Sequence, residues 1–326
     1  MPKTVLLLTH TADHFVIERV AEALAQRGAR AFRFDTDLFP GEARLSARAG
    51  PGSGHRLACG GREINLEEVG AVWVRKIWTP RLDERLDPQM REGALRESAA
   101  ALAGFLDGLH GARWIDPPDA VRQAANKMHQ LRFAGEVGLD VPRTLMTNDP
   151  EAVRAFRAEH GPIVAKMLTP LSFGMESQPF SVRTSLVRDA DLDHLDSLRH
   201  APMVFQELVE KQVELRVACV GARAFAGEID ASRSERGKID WRAARPGEVR
   251  WAPGALPEDI AERLRALLGR LGLRQGAVDL IRTPQGRHVF LEVNPVGEWG
   301  MLERDLGLPI SEAIAEELLA DDEVPS

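Results

Sequence analysis

The last hairpin of the chain carries residues whose types and spacing suggest chemistry. The segment VFLEVNP places Glu292 and Asn294 two positions apart at the end of an apolar strand, directly before Pro295. Strands disfavour such polar side chains, so their presence indicates a use for two rigidly held oxygen ligands. An exposed acidic edge of a hairpin would produce the same pattern, and this segment alone does not decide between the two interpretations.

The preceding strand supplies a third oxygen ligand. GAVDLIR and RHVFLEVN are separated by TPQG, whose proline and glycine are typical of a tight turn. With the turn centred on residues 284–285, side-chain alternation places Asp279 opposite Phe290. Both residues then share one face with Glu292 and Asn294, at separations of roughly 5–8 Å. The other face is apolar and carries Val278, Leu280, Val289, Leu291 and Val293.

These three oxygen ligands are of the kind that magnesium binds. Mg²⁺ takes one or two carboxylates and completes its coordination shell with water and phosphate oxygens. The sequence has no His and Cys cluster with the spacing of a zinc site. We therefore interpret Asp279, Glu292 and Asn294 as candidate magnesium ligands.

Two upstream segments place charged residues in or beside apolar strands. Lys166 lies in PIVAKML, where burying an unpaired ammonium would be costly and a phosphate partner would remove that cost. FQELV ends a strand, and the connection after it could offer backbone groups, with Glu207, to an adenine edge. Glu214 and Arg216 then share one face of the next strand. A lysine on a solvated face and a charged cross-strand pair are the alternative interpretations.

Composition and charge exclude several functional classes. The chain has 326 residues, of which 44% are hydrophobic and 28% charged, as in ordinary globular proteins of about two or three domains. Its net charge of −7 speaks against nucleic-acid binding. Cys59 and Cys219 are the only cysteines, and the apolar run at 5–8 is too short for a secretory signal or a membrane span. We therefore expect a soluble, cytoplasmic protein without nucleic-acid or membrane partners.

The patterning along the chain predicts a mixed α/β (α+β) protein. TVLLLTH, ADHFVIERVAEALAQRG and ARAFRFDTD indicate a strand, a helix and a strand. No G-x-G-x-x-G fingerprint follows the first strand and no P-loop is present, which speaks against dinucleotide and Walker-type sites. Pro117 and Pro118 mark a boundary, followed by a predicted helix from about Ala120 to Val137. We predict an N-terminal α/β domain at 1–119, a central subdomain at 120–202 and a C-terminal subdomain at 203–326.

In this order, the segments resemble the ATP-grasp family over roughly residues 120–320. The resemblance rests on ANKMHQ, VAKML, FQELV, the pair of Glu214 and Arg216, Asp279 and LEVNP. It implies an ATP-grasp fold with an N-terminal βαβ pre-ATP-grasp domain, with ATP and Mg²⁺ (two ions) in the site. The implied roles are phosphate binding for Lys127 and Lys166, adenine binding for Glu207, Leu208 and Val209, ribose binding for Glu214, metal binding for Asp279, Glu292 and Asn294, and catalysis for Arg216 and Lys166.

The resemblance has one departure. The family closes its site with a glycine-rich loop between two strands, whereas the corresponding TPLSFGMESQPF contains Gly174 as its only glycine. Ser172 and the backbone N–H groups of this loop are the candidates for covering the phosphates. No general base stands out from the sequence, and His14, His129 and Asp230 are the candidates.

A narrower resemblance covers nearly the whole chain. RFDTDLFPGE, AVWVRK, VFQELVEKQVELRV, GEID and DWR resemble the ATP-grasp enzymes that make graspetides, the microviridin- and plesiocin-type peptide cyclases. This resemblance implies phosphorylation of an Asp or Glu side chain of a ribosomal precursor peptide. A Ser or Thr hydroxyl, or a Lys amine, then displaces phosphate to close an ester or amide ring.

The resemblance also implies partners for the chain. Graspetide cyclases bind a leader segment of their precursor away from the chemistry, and they commonly form homodimers. RDADLDHLDSLRH combines an acidic face with Leu192, Leu195 and Leu198 at helical spacing. We predict that Asp191, Asp193 and Asp196 bind the basic residues of a leader helix, although a solvated surface helix would show the same pattern.

Two other functions use the same residues. One is a carboxylate–amine ligase of the same fold that acts on amino acids or on a protein C-terminus. The other is a nucleotide- or peptide-binding scaffold without catalysis, against which stands the presence of each expected phosphate and metal ligand. Mass spectrometry separates the two enzymes, because cyclisation removes one water per bond whereas ligation adds mass.

Overall fold

The chain folds around several sheets. The computed structural model of the chain describes residues 3–168, 172–173, 180–181, 184–232, 234, 237–245 and 247–320, and at 172–173 and 180–181 it describes the backbone alone. The N-terminal elements are β1 (Thr4–Thr9), α1 (Phe15–Gln26), β2 (Arg30–Asp35), β3 (Arg44–Arg48), β4 (Gly54–Cys59), β5 (Arg62–Asn65), β6 (Val69–Val74), α2 (Pro88–Asp107) and β7 (Arg113–Ile115).

The middle of the chain forms an antiparallel sheet in the order β12-β9-β13-β8. Its elements are α3 (Pro118–Ala124), α4 (Lys127–Glu136), β8 (Thr144–Thr147), α5 (Pro150–His160), β9 (Ile163–Lys166), β10 (Ser172–Phe173), β11 (Phe180–Ser181), β12 (Ser185–Leu186), α6 (Asp189–Leu192) and β13 (Met203–Glu207). Because β13 pairs with β8 and β9, we propose that the boundary of the third domain, predicted at 203, lies after this strand.

The C-terminal part forms a second antiparallel sheet, in the order β16-β15-β14-β17-β18. Its elements are β14 (Val213–Val220), β15 (Arg223–Ile229), β16 (Ala252–Pro253), α7 (Glu258–Arg270), β17 (Gln275–Arg282), β18 (His288–Asn294), α8 (Gly300–Leu306) and α9 (Ile310–Leu319). Within the described residues, no helix is both long and apolar enough to span a membrane.

The first sheet is parallel, in the order β2-β1-β6-β7, and both of its faces are covered. Every residue of β1 is buried, as its continuous apolar run predicts. Val5 and Leu7 belong to a core that includes α1 and α9, whereas Leu6 and Leu8 belong to a core that includes α2. The last helix of the described chain therefore completes the core of the first sheet.

The helix predicted from about Ala120 to Val137 is divided in two. The side chain of Asn126 accepts hydrogen bonds from the N–H groups of Met128 and His129, so it caps a new helix, α4. Asparagine is among the best N-cap residues, and its capping interaction competes with continuation of α3. The division places Lys127 at the first position of α4.

The predicted pairing of the last hairpin is wrong by one residue beside the turn and by two residues at Asp279. The turn shifts the pairing by one residue, so that Arg282 lies opposite His288, and a β-bulge between Asp279 and Leu280 shifts it by one more. Asp279 therefore lies opposite Glu292 rather than Phe290. The additional residue, Leu291, breaks the side-chain alternation, so Phe290 and Val293 both belong to the buried core. Phe290 therefore does not share a face with the oxygen ligands.

Asp116 joins the end of β7 to the beginning of β17. Its carboxylate oxygens accept hydrogen bonds from the backbone N–H groups of Arg274, at 2.8 Å, and Gln275, at 3.1 Å. Burial raises the pKa of Asp116 to about 7, although these two N–H groups act to lower it. The folded chain therefore binds a proton at this residue more tightly than the unfolded chain does.

This raised pKa predicts a pH-dependent stability. The stabilising contribution of Asp116 to the free energy of unfolding is fully present below its unfolded pKa, near 3.8, and is lost as the pH rises through about 7. We expect the free energy of unfolding to fall with pH in this window, by at most about 1.4 kcal/mol per pH unit, relative to an Asp116→Asn variant. Urea unfolding at a series of pH values measures this free energy, with Asp119→Asn as a control at an exposed carboxylate. Parallel curves of unfolding free energy against pH for wild type and Asp116→Asn would contradict the prediction.

Candidate active site

The three candidate magnesium ligands lie together on β17 and β18. Asp279 is directly opposite Glu292 across the two strands, and the Asn294 amide nitrogen lies 3.5 Å from a Glu292 carboxylate oxygen. Asp279 is buried, whereas Glu292 and Asn294 are partly exposed. The neighbouring Val278, Leu280 and Val293 face the core beneath α4 and α7. The hairpin thus directs its polar side chains to one side and its apolar ones to the other.

Cationic side chains from several elements surround these ligands. Lys127, at the start of α4, lies 2.5 Å from a Glu292 oxygen. Arg216 on β14 donates a hydrogen bond to one oxygen of Asp279 at 2.7 Å, and Arg242 donates to the other at 3.0 Å. The arrangement concentrates positive charge around a pair of carboxylates, as a site for a metal-bound polyphosphate requires.

The electrostatics of the site keep the Glu292 carboxylate ionised. Burial alone would raise the pKa of Glu292, but Lys127, Lys166 and Arg242 outweigh it and hold that pKa well below its ordinary value. Burial lowers the pKa of Lys166, and Glu292 acts in the opposite direction. Burial also acts to lower the pKa of Arg242, but the carboxylates of Asp279 and Asp240 outweigh it and raise that pKa. The charges of Glu292 and Asp279 thus act on Lys166 as well as on Arg242.

The loop after β18 fixes the position of Arg216. The carbonyl oxygen of Glu298 accepts hydrogen bonds from Arg216 Nε at 3.1 Å and from Nη2 at 2.9 Å. Gly297 packs so closely that a Cβ there would lie 3.0 Å from Arg216 Nη2 and 2.7 Å from the Cβ of Ala277. A side chain at 297 would therefore push the guanidinium away from Asp279.

A cavity of about 350 Å³ lies beside this cluster, along the segment that joins β13 to β14. Leu208, Val209 and Glu214 line it, together with residues 210–213, 231–232 and 238–239. Glu214 Oε1 accepts hydrogen bonds from Lys211 at 2.6 Å and from the backbone N–H of Trp241 at 3.2 Å. Burial raises the pKa of Glu214, against the effect of Lys211. Of the predicted adenine- and ribose-binding residues, Leu208, Val209 and Glu214 thus border one cavity, whereas Glu207 does not line it.

Glu207 is partly committed to other contacts. Its carboxylate accepts a hydrogen bond from the backbone N–H of Arg143 at 3.0 Å, and its own N–H donates to the Arg143 carbonyl. The N–H of Leu208 donates to the carbonyl of Pro162. These contacts join the segment to the central sheet, and the roles of Glu207 and Leu208 in adenine binding stay predictions.

Several predicted residues lie elsewhere or outside the described part. The Ser172 side chain and most of the loop at 169–180 are outside the described residues. Asp191, Asp193 and Asp196 are exposed, but Leu195 and Leu198 belong to a buried core with Val153 and Phe205. The acidic segment forms α6 and a short 3₁₀ helix at Leu195–Arg199 rather than one amphipathic helix. Leader binding by the three aspartates stays a prediction.

The sequence interpretation did not select Arg242 as a site residue. Arg242 lies between β15 and β16, in a 3₁₀ turn at Trp241–Ala243. A turn has no side-chain periodicity, so the sequence does not indicate where the Arg242 side chain points. The signal that could have selected it is the DWR segment, whose Asp240 side chain accepts hydrogen bonds from both the backbone N–H and the guanidinium of Arg242.

The donor set fits Mg²⁺. Two carboxylates and one amide oxygen leave positions for water and phosphate oxygens, which is how magnesium usually binds. Among the described residues, no group of three or more His, Cys, Asp or Glu side chains could hold a metal ion. A magnesium ion at Asp279 and Glu292 would therefore have the Asn294 amide oxygen, rather than a third carboxylate, as its additional protein ligand.

The fold and the site can be compared with those of known proteins. The family model described as the MvdD pre-ATP grasp domain matches residues 4–122. The structure of macrocyclase MdnB from Microcystis aeruginosa MRC is 44% identical in sequence, with 98% of this chain and 100% of that chain covered and a TM-score of 0.84. The comparison with curated proteins gave no match.

Two further structures are similar and contain peptides. Macrocyclase MdnC from Microcystis aeruginosa MRC, bound with the precursor peptide MdnA, is 37% identical, with 97% of this chain and 99% of that chain covered and a TM-score of 0.87. A ligase from Chryseobacterium gregarium, described as a RiPP-associated ATP-grasp ligase in complex with ADP and a leader and core peptide, is 33% identical. It covers 99% of this chain and 98% of its own, with a TM-score of 0.90.

Proposed function

The chain belongs to the family of ATP-grasp ligases that contains the macrocyclases MdnB and MdnC, and we propose that it is itself an ATP-dependent peptide macrocyclase. Its proposed substrate is a ribosomal precursor peptide, whose acidic side chains it joins to Ser or Thr hydroxyls, or to Lys amines, within the same peptide. The observation that carries the proposal is the meeting of Asp279, Glu292 and Asn294 with Lys127 and Arg216 beside a nucleotide-sized cavity.

The proposed reaction has two steps. A side-chain carboxylate of the peptide attacks the γ-phosphorus of ATP, ADP leaves, and an acyl phosphate forms. The hydroxyl oxygen of a Ser or Thr then attacks the acyl carbon, the carbon–oxygen bond to phosphate breaks, and the hydroxyl proton leaves with the phosphate. The first step replaces a poor leaving group by a good one, so the task of the protein is positioning and charge neutralisation.

The residues of the site suit this task. Asp279, Glu292 and Asn294 would hold magnesium, which neutralises charge on the phosphates when it is bound. We propose that Lys127 and Lys166 bind phosphate oxygens and that Arg216 binds the transferring phosphoryl group. Arg242 donates to the Asp279 oxygen that Arg216 does not bind, and it would keep the carboxylate oriented.

The nucleotide base and ribose have a proposed place beside the phosphates. The cavity along Leu208 and Val209 would take the adenine, and Glu214, at its border, would accept hydrogen bonds from the ribose hydroxyls. Two magnesium ions, homodimer formation and leader binding at Asp191, Asp193 and Asp196 stay predictions from the resemblance. A cytoplasmic location stays a prediction from the sequence.

Mass spectrometry of a co-expressed precursor tests the proposed function. We expect a co-expressed precursor peptide with acidic and Thr-rich core residues to lose the mass of one water for each cross-link, with release of one ADP per bond. A version of the peptide whose acidic core residues are replaced by their amides is the control, and it should stay unchanged. A gain in mass would favour the amino-acid ligase, and an unmodified precursor without ADP release would contradict the macrocyclase.

A further inference from the structure

A second cluster of charged residues lies at the carboxyl edge of the first sheet. In the order β2-β1-β6-β7, the strand that follows β1 in the chain lies on one side of it, and the later strand β6 lies on its other side. The strand order therefore reverses between β1 and β6. Open parallel sheets bind ligands outside the carboxyl ends of their strands at such a switch point. His10 directly follows β1, and Arg75 and Lys76 directly follow β6.

The two cations of this cluster share one carboxylate. Glu298 accepts a hydrogen bond from Arg75 with one oxygen and from Lys76 with the other. Arg75 also donates to the carbonyl of Val296 at 3.1 Å, and its Nε lies 3.5 Å from an oxygen of Asp13. Arg75 is almost fully buried, whereas the Glu298 side chain is 48% exposed. The carboxylate is thus the part of the cluster that can move away into solvent.

The cluster contains polar atoms without hydrogen bonds. His10 and Arg75 are 5% and 1% exposed, and neither His10 Nδ1 nor Arg75 Nε has a hydrogen-bond partner within the described part of the chain. The His10 ring stacks in parallel on Trp78, with ring centroids 3.6 Å apart. Buried polar groups are nearly always satisfied, so unsatisfied ones that lie together at a switch point indicate a ligand site.

The charged groups that face His10 come from the segments that follow β1, β2 and β6. Burial lowers the pKa of His10, Asp13 and Asp37 act to raise it, and Lys76 and Arg75 act to lower it. The ring is therefore neutral at neutral pH and can serve as a hydrogen-bond partner without adding charge.

One loop connects this cluster to the candidate active site. Glu298 places its side chain on Arg75 and Lys76, while its backbone carbonyl binds Arg216. Arg216 in turn binds Asp279. A carboxylate that displaces Glu298 from Lys76 would therefore bind beside the loop residue whose carbonyl holds the guanidinium that we assign to the transferring phosphoryl group.

We propose that Arg75, Lys76 and His10 form a carboxylate-binding subsite, in which an acidic side chain of the peptide substrate takes the place of Glu298. The substrate in this inference rests on the proposed function, whereas the subsite rests on the contacts above. Glu298 is then an internal competitor that neutralises the cations of the empty subsite. Of the negative charges that remain, Asp13 is bound by Thr9 and lies 3.5 Å from Arg75 Nε. Asp37 is bound by Thr11 and Arg81.

Two substitutions should change peptide affinity in opposite directions. The probe is a fluorescein-labelled synthetic peptide of alternating Thr and Glu, and its counterpart with Gln in place of Glu is the control peptide. We expect Lys76→Met to weaken binding of the Glu peptide about tenfold, the size of one lost charge-assisted hydrogen bond. We expect Lys76→Arg to retain binding, and Glu298→Gln to strengthen it because the competitor is removed.

The control ion pair lies at the opposite edge of the same sheet. Arg30 and Glu68 form an exposed pair at the amino ends of β2 and β6, so Glu68→Gln should leave binding of the probe unchanged. Fluorescence anisotropy gives the affinities, and thermal unfolding together with ADP affinity on the same samples reports folding. If the ion pair of Lys76 with Glu298 were purely structural, Lys76→Met and Glu298→Gln would both lower the unfolding temperature without changing peptide affinity.

The outcomes separate this inference from the proposed function. Equal affinities for wild type and Lys76→Met, shifts of Lys76→Met and Glu298→Gln in the same direction, or no preference of the wild type for Glu over Gln would each overturn the subsite. Cyclisation of the precursor by the wild type would leave the proposed function intact in all of these cases. Conversely, opposite shifts with an unmodified precursor would support the subsite and contradict the macrocyclase.

Discussion

Replacing Asp279 by Asn, or Glu292 by Gln, is expected to lower cross-linking by about 10³-fold or more, because several kcal/mol of charge stabilisation at the phosphates is lost. Each substitution removes one anionic ligand of the proposed magnesium ion and keeps the size of the side chain. Mass spectrometry of the precursor measures the product, and coupled detection of ADP measures the first step. ATP-dependent phosphorylation and ring closure should be lost together.

The amides are better tests than alanine at these positions. Asp279 is the partner of both Arg216 and Arg242, so Asp279→Ala would leave two guanidinium groups without their carboxylate and would destabilise the fold. A matched control is Asp140→Asn, which removes an exposed carboxylate that pairs with Arg287 beside the same hairpin. The control should retain full activity. Normal turnover by Glu292→Gln, with its structure intact, would refute the assignment of the metal ligands.

Arg216→Lys is expected to lower the rate of product formation by about 10²-fold while the affinity for ATP changes little. The guanidinium binds Asp279 with one nitrogen and the Glu298 carbonyl with two others, and a lysine ammonium cannot reproduce this planar fork. The positive charge is retained, so the loss would measure geometry rather than net charge. Single-turnover kinetics with the precursor, at saturating and at limiting ATP, distinguishes the two parameters.

Arg282→Lys provides the comparison for this variant. Arg282 lies on the neighbouring β17 and pairs with Glu228 at 2.9 Å, away from the candidate active site. It should lose no more than about twofold in rate, as expected for a partly exposed pair. Equal losses in Arg216→Lys and Arg282→Lys would indicate a general effect on the sheet and would remove Arg216 from the proposed mechanism.

Much of the fold is predictable because its periodicities are strong. The apolar run of β1 predicts a strand covered on both faces, and Leu6 and Leu7 do lie in different cores. Local capping and bulges are harder to predict. Nothing in the apolar pattern shows that Asn126 begins a new helix, or that Leu291 is the additional residue of a bulge, because both depend on hydrogen bonds rather than on burial.

The candidate site was predictable where its residues lie on regular strands. Glu292 and Asn294 are two positions apart, so they point the same way whatever the register of the partner strand. The predicted register was wrong for Phe290, which lies in the core, but the prediction that Asp279 lies beside Glu292 does not depend on that error. Arg242 and the cluster around Arg75 escaped prediction because they lie after strand ends, where alternation no longer specifies a direction.

The packing of α9 has a consequence for co-translational folding. Ile310, Ile314 and Leu318 share a core with Val5 and Leu7, although some three hundred positions separate them in the chain. Helix α1 covers part of this core early, but the rest of that apolar face stays exposed until residues 310–319 have been translated. We expect this face to depend on chaperones during synthesis, and chimeras that exchange the first sheet between relatives to fold only when the last helix is exchanged with it.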